Sequence, residues 1–220
     1  MRRILLTGSL LCVILVGASI QASAGYNPEP AIGLHITEAG ASNPCGISAP
    51  TRLNVVFEYP YRSPPFFNVY LIVCNGLTPA GVSGLDCGID YNPGVSIFSW
   101  NLCASTDSPS GGWPAAHGSN VISWSTCQNT PSESGDAYSV VAVAGYFYMA
   151  AYSSTAMGVV ANGLGQARVK NCAGQWDSLI PSAPSRLGVA GFEQGGFNAC
   201  DPFVLATQPT TWSRVKLHLQ

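Results

Sequence analysis

The chain has 220 residues, of which 9% are charged and 47% hydrophobic, with 24 Gly, 16 Pro and a formal net charge of −2. That apolar content excludes an intrinsically disordered chain. The lack of any basic run or arginine stripe excludes a nucleic-acid partner held through its phosphates.

At the N-terminus Met1, Arg2 and Arg3 form a basic region, Leu10 to Val16 an apolar one, and Ala22-Ser23-Ala24 a small-x-small cleavage pattern. A signal peptide over 1–24 is expected, which places the protein outside the cell or in the periplasm. The remaining 196 residues carry 7 basic and 11 acidic side chains, hold no membrane span and fit one β-domain with a tail. Cys12 leaves with the leader, so seven cysteines stay: Cys45, Cys74, Cys87, Cys103, Cys127, Cys172 and Cys200. In an oxidising compartment an odd set predicts up to three intrachain bridges and one thiol that is free or intermolecular. No C-x-x-C pair occurs and the three histidines lie far from the cysteines in sequence, so no metal site or other cofactor is expected.

In chain order, Ile32–Thr37 alternates as a half-buried first strand that turns His35 to the face opposite Ile32, Leu34 and Ile36. A Gly- and Pro-rich loop follows, then a strand over Arg52–Tyr59. The segment Pro60–Phe67 has three prolines and cannot sit inside a sheet. It reads as a rigid crossover, or with Tyr59 and Tyr61 as an aromatic contact surface for a sugar or peptide. Strands over Phe67–Cys74 and Val82–Tyr91 come next. If they pair antiparallel, Cys74 and Cys87 come within reach of a bond.

Phe98–Cys103 and Ile122–Cys127 share a pattern of Trp and Cys, each 24 residues apart. Either Cys103 and Cys127 are bonded and the strands are not a hairpin, or they form a hairpin and find other partners, because a bond tolerates only about 7 Å between Cα atoms. The loop between them holds Trp113 and His117, which form a candidate carbohydrate platform if the indole is exposed. The longest apolar stretch of the mature chain is Ala137–Tyr152. Rich in Val, Tyr and Phe, it predicts a central strand buried on both faces, with Val141, Val143, Gly145, Phe147 and Met149 on one and Val140, Ala142, Ala144, Tyr146 and Tyr148 on the other.

Gly158–Ala161 and Gln166–Asn171 close the sheet around Asn162-Gly163. A boundary is expected at Cys172, with β-sandwich over 25–172 and a tail over 173–220 pinned by Cys172 to Cys200 or by Cys200 to another strand. Thr210–Gln220 is read as a short amphipathic helix that packs on its own domain or docks a partner.

No G-x-S-x-G, H-E-x-x-H, Walker or G-x-G-x-x-G pattern is present, so no catalytic residue is assigned. Paired carboxylates are the one remaining enzymatic route, and Asp86 and Asp90 lie four apart on one strand face.

The stretches Gly112-Trp113-Pro114, Ala142–Tyr152, Ala167–Cys172 and the ending at Thr210–Leu219 resemble those of small secreted bacterial proteins of unassigned function with cohesin-like or immunoglobulin-like sandwiches. The resemblance spans roughly residues 32–172 and the last ten, and implies protein binding on a sheet face with no site residue to carry over. The expectation is a secreted all-β Greek-key sandwich of about eight or nine strands that binds or assembles without catalysis. Its partners would be an envelope protein, a polysaccharide or, through a cysteine or by contact, a second copy; a polysaccharide hydrolase is the alternative.

Overall fold

The structure is a computed structural model that describes residue 27 and residues 29–40, 44–46, 49–60, 63, 65–180 and 182–201. The expected signal peptide, Tyr61 and the C-terminal helix lie outside the described residues.

Among the described residues twelve strands form, more than the eight or nine expected: β1 (Ala31–Glu38), β2 (Glu58–Tyr59), β3 (Phe66–Gly76), β4 (Val82–Tyr91), β5 (Val95–Leu102), β6 (Thr106–Ser110), β7 (Ser119–Gln128), β8 (Val140–Ala151), β9 (Thr155–Val160), β10 (Arg168–Lys170), β11 (Trp176–Ser178) and β12 (Val189–Phe192). They make a Greek-key sandwich. One sheet has the order β1-β3-β8-β5, and the other runs β11-β10-β4-β9-β12-β2, with β7 against β4 and β6 against β7. Every pairing is antiparallel except β2 with β12. Between the sheets lie Leu34, Phe67, Leu71, Phe147 and Met149 from the first and Leu85, Ile89, Ile122, Val159 and Phe192 from the second. Each such side chain stabilises the fold by roughly 2–3 kcal/mol through burial.

The strand expected over Arg52–Tyr59 is a correction. Only β2 at its end pairs in a sheet; the rest is a strap across β1, where Ile36 N–H donates to Val56 O (2.7 Å) and Val56 N–H to His35 Nδ1 (2.9 Å). Alternating apolar residues satisfy a covering segment as well as a strand, so periodicity could not separate the two. Beyond Cys172, β11 and β12 belong to the larger sheet, and β12 is buried along its whole length. The Gly- and Pro-rich texture there reflects short strands between tight turns.

The face assignment of the central run holds only in part, because β8 carries a bulge. Its register against β3 jumps from Gly145↔Leu71 to Val143↔Ile72, which leaves Ala144 as the extra residue. Val140, Ala142 and Ala144 face the core, and after the bulge Phe147, Met149 and Ala151 do. An added residue reverses the two-residue alternation. The carbonyl of Ala144 accepts N–H bonds from both Cys103 and Ala104 at 2.9 Å. Beside it Gly145 is required by space: a Cβ there would lie 2.5 Å from Trp100 Cη2 and 2.5 Å from Asn101 O.

Three disulfides join Cys45 to Cys103, Cys74 to Cys200 and Cys127 to Cys172. They close loops with sequence separations of 58, 126 and 45 residues, so each stabilises by roughly 4–5 kcal/mol if chain entropy alone decides. Cys74 bonds Cys200, in a turn beyond β12, and not Cys87, because β3 and β4 are in different sheets: Cys74 faces outward and Cys87 faces the core. Cys172 bonds Cys127 and not Cys200, since the ends of β7 and β10 flank β4 together. Cys103 and Cys127 are neither bonded to each other nor in a hairpin, as β5 and β7 lie in different sheets. The Cys127–Cys172 bond rests over Gly81, whose φ of +62° and 2.4 Å clearance to Cys127 Sγ leave no room for a side chain. Gly33 gives the Cys74–Cys200 bond the same room. Among the described residues Cys87 is the free thiol, fully buried, and burial raises its pKa. It is therefore no point of intermolecular bonding in the folded protein.

Three outcomes are expected. Gly145→Val should cost roughly 2–4 kcal/mol in urea unfolding and alter the near-ultraviolet signal of Trp100. Cys87 should resist iodoacetamide in the native protein and react once unfolded, with one adduct by mass; native labelling would contradict its burial. The third concerns His35, whose neutral Nδ1 holds the strap: burial lowers its pKa from 6.5 to about 4. Between those values the unfolded chain takes up a proton that the folded one refuses, so stability is intact above pH 6.5 and falls as the pH drops through the window, by about 3 kcal/mol once below it. Unfolding at pH 7.5 and pH 4.5 should show a loss about 2 kcal/mol larger for the native sequence than for His35→Gln; equal losses would contradict it.

Candidate functional surface

The outer face of the smaller sheet is divided into two halves of different character. In one, Tyr70, Ile72, Cys74 and Val141 are covered by Val55 of the strap and by Ala199 and Cys200, with Phe57 and Phe197 packed beside them. The strap is further held by an Arg52–Asp136 ion pair, and Tyr70 Oη donates to Pro44 O at 2.9 Å. The Cys74–Cys200 and Cys45–Cys103 bonds fasten this cover at two places.

The other half carries an aromatic cluster. Phe66 at the start of β3, Tyr148 on β8 and Phe98 on β5 approach with ring centroids 6.2 Å (Phe66–Tyr148), 5.5 Å (Phe98–Tyr148) and 6.0 Å (Phe66–Phe98) apart. Phe66 is 37% exposed and Phe98 50%, while Tyr148 is half-buried. A large apolar side chain left half in water costs what its burial would return, so a contiguous group of three is informative where single ones are not. Two irregularities create it. The bulge in β8 turns Tyr148 outward, and a second register shift between Ile97 and Ser99 makes Phe98 the extra residue of β5. Register then fixes the neighbours: Thr37, Asn68, Tyr148 and Ser99 lie in one row across the strands, and Phe66, Ala150 and Ser96 in the next. Ala150, a single methyl between the larger side chains, is fully buried. No charged residue occurs in either row.

The residues singled out from sequence are elsewhere. Trp113 does not form an exposed platform: its ring lies edge-on to Trp100 at 5.3 Å and against Phe147 at 5.3 Å, on the inner side of β8 and opposite the cluster. The Trp113–Pro114 peptide is cis. Burying an indole beside two aromatic rings outweighs leaving it in water, which is why a Trp in a Gly- and Pro-rich loop folds back. Tyr59 packs edge-on to Phe67 at 5.4 Å and donates to Glu38, so its ring is part of the rim of the core. His117 is 81% exposed with Nδ1 3.5 Å from Asp90 Oδ1, and is not joined to the cluster by any contact among the described residues.

The carboxylates do not form a glycosidase pair. Asp86 is 2% exposed and accepts from Arg168 Nε and Nη2, both at 3.0 Å, and from Asn162 Nδ2 at 2.9 Å; the guanidinium stacks on Trp176 at 4.5 Å. Four residues of strand set Asp90 roughly 13 Å from it along β4, beyond the separation of about 5–10 Å that glycoside hydrolysis uses. Among the described residues no group of three His, Cys, Asp or Glu could hold a metal ion, and no helix is long and apolar enough to cross a membrane.

The sequence does not gather Phe66, Phe98 and Tyr148 into a set. Phe66 lies inside the Pro-rich segment Pro60–Phe67 and Tyr148 shares an expected face with Tyr146, but which face stays uncovered depends on the strap and on the segment around Cys200.

No family model matches the chain, and no curated protein matches it. Among solved structures it is similar to a cohesin module from a Clostridium perfringens ATCC13124 family 33 glycoside hydrolase, with a TM-score of 0.41 and 10% identity over 74% of this chain and 95% of that one. A likeness at that level carries no argument about function.

Proposed function

We propose that the protein is a secreted, non-enzymatic binding module whose ligand surface is the open half of the smaller sheet, centred on Phe66, Phe98 and Tyr148. The observation that carries this reading is the contrast within one face. Half of it is covered by its own chain and fastened by two disulfides, and the adjoining half leaves three touching rings toward solvent. Apolar rings held on a rigid sheet lose little freedom when a ligand covers them, so their burial goes into affinity. Three disulfides and the expected signal peptide support an oxidising, extracytoplasmic location.

The test is depletion of the full chain from solution by cell-envelope material and insoluble polysaccharides. Phe66→Ser with Phe98→Ser should weaken uptake at least tenfold while the circular dichroism spectrum and three disulfides are kept. Undiminished uptake by a folded double variant would remove this surface from the reading.

A further inference from the structure

We infer that the aromatic cluster takes a neutral glycan, with one or two sugar units lying over Phe66, Tyr148 and Phe98. This rests on the binding reading above and names its ligand class.

The size of the surface is the first reason. With Phe66 37% exposed, Phe98 50% exposed and Tyr148 half-buried, the three rings offer on the order of 250 Å². A stable protein interface needs roughly 800 Å² from each partner, whereas a short oligosaccharide is matched to a patch of this extent. Shape is the second. The rings are close in a fixed mutual geometry, Phe66 and Tyr148 inclined by 24° and Phe98 by 47° to Tyr148 and 52° to Phe66. Aromatic rings held in place on a sheet are groups on which the C–H faces of pyranose rings pack. The three centroid separations of 5.5–6.2 Å are nearly equal, so the rings form a triangle whose side is about the length of one sugar unit, a footprint for one or two units.

Polar chemistry is the third reason. Ser96, Ser99 and Thr37, half-buried and in register with the rings, carry hydroxyl groups of the class that meets sugar hydroxyls, while Asn68 in the same row is buried. No lysine or arginine lies in those rows to receive a uronate or sulfate, so the preferred glycan is uncharged.

The experiment uses the full chain with its disulfides intact, and a panel of cellulose, chitin, xylan and β-1,3-glucan beside polygalacturonate and alginate. Retention is expected on at least one neutral polymer and should change little between 50 mM and 500 mM salt. Phe98→Ala should reduce it at least tenfold and Phe98→Tyr should restore most of it. Leu164→Ala, which trims an 81% exposed side chain elsewhere, should leave it unchanged. Retention that is equal for Phe98→Ala, or confined to the acidic polymers and abolished by salt, would overturn the assignment. Absence of retention on every glycan, with envelope uptake still abolished by the Phe66 and Phe98 substitutions, would overturn the ligand class and leave the binding reading in place. Loss of neither activity in those variants would remove both.

Discussion

One inserted residue in the central strand sets most of this structure. With Ala144 as the extra residue, the chain before it directs Val140 and Ala142 inward and the chain after it directs Phe147 and Met149 inward. Without the insertion the same alternation would drive Tyr146 and Tyr148 into the core and leave Phe147 in water. Their hydroxyls would then need buried partners, at a cost of roughly 1–3 kcal/mol each if unmet. The bulge is held in place from both sides. Two N–H groups following β5 converge on the Ala144 carbonyl, and Trp100 closes over the bare Cα of Gly145.

What covers the outer face follows from that arrangement. A β-sheet in a sandwich usually keeps one face for the core and one for water, yet half of the outer face here is apolar and needs a second cover. The strap over Val55 and Phe57 and the segment ending at Cys200 supply it, and disulfides hold them because these segments have little ladder pairing of their own. His35 is part of the same device, a neutral imidazole accepting the Val56 N–H in a place too dry to favour its charge. The adjoining half, which these segments leave uncovered, is the proposed ligand surface. Cover and binding surface are two outcomes of one register.

The second sheet solves a different problem. Asp86 is buried on its outer side, and the cost of burying a carboxylate is offset by a paired guanidinium, an asparagine amide and the stacking of that guanidinium on Trp176. This explains how a chain with only 9% charged residues still holds a buried ion pair, and why an acidic pair on one strand face did not amount to catalytic machinery. Its carboxylate is committed to holding β10 against β4.

The sequence by itself determined the class of fold, the position of most long strands, the centrality of Ala137–Tyr152 and an odd cysteine set that allows at most three bridges. Each of these is a local property: period-two apolarity, turn residues at the ends and cysteine number. Only the tertiary structure decided which cysteines meet, which strands share a sheet, that 52–57 is a strap and that Trp113 turns inward. Those outcomes depend on contacts between residues far apart in the chain, above all on the passage from β3 to β4, which sends neighbours in sequence to opposite sheets. The exposed rings belong to the second group for the same reason. Alternation can say that Phe66 and Tyr148 share a face with one another only once the register is known, and a bulge shifts that register by one residue without leaving a mark in the pattern of apolar residues.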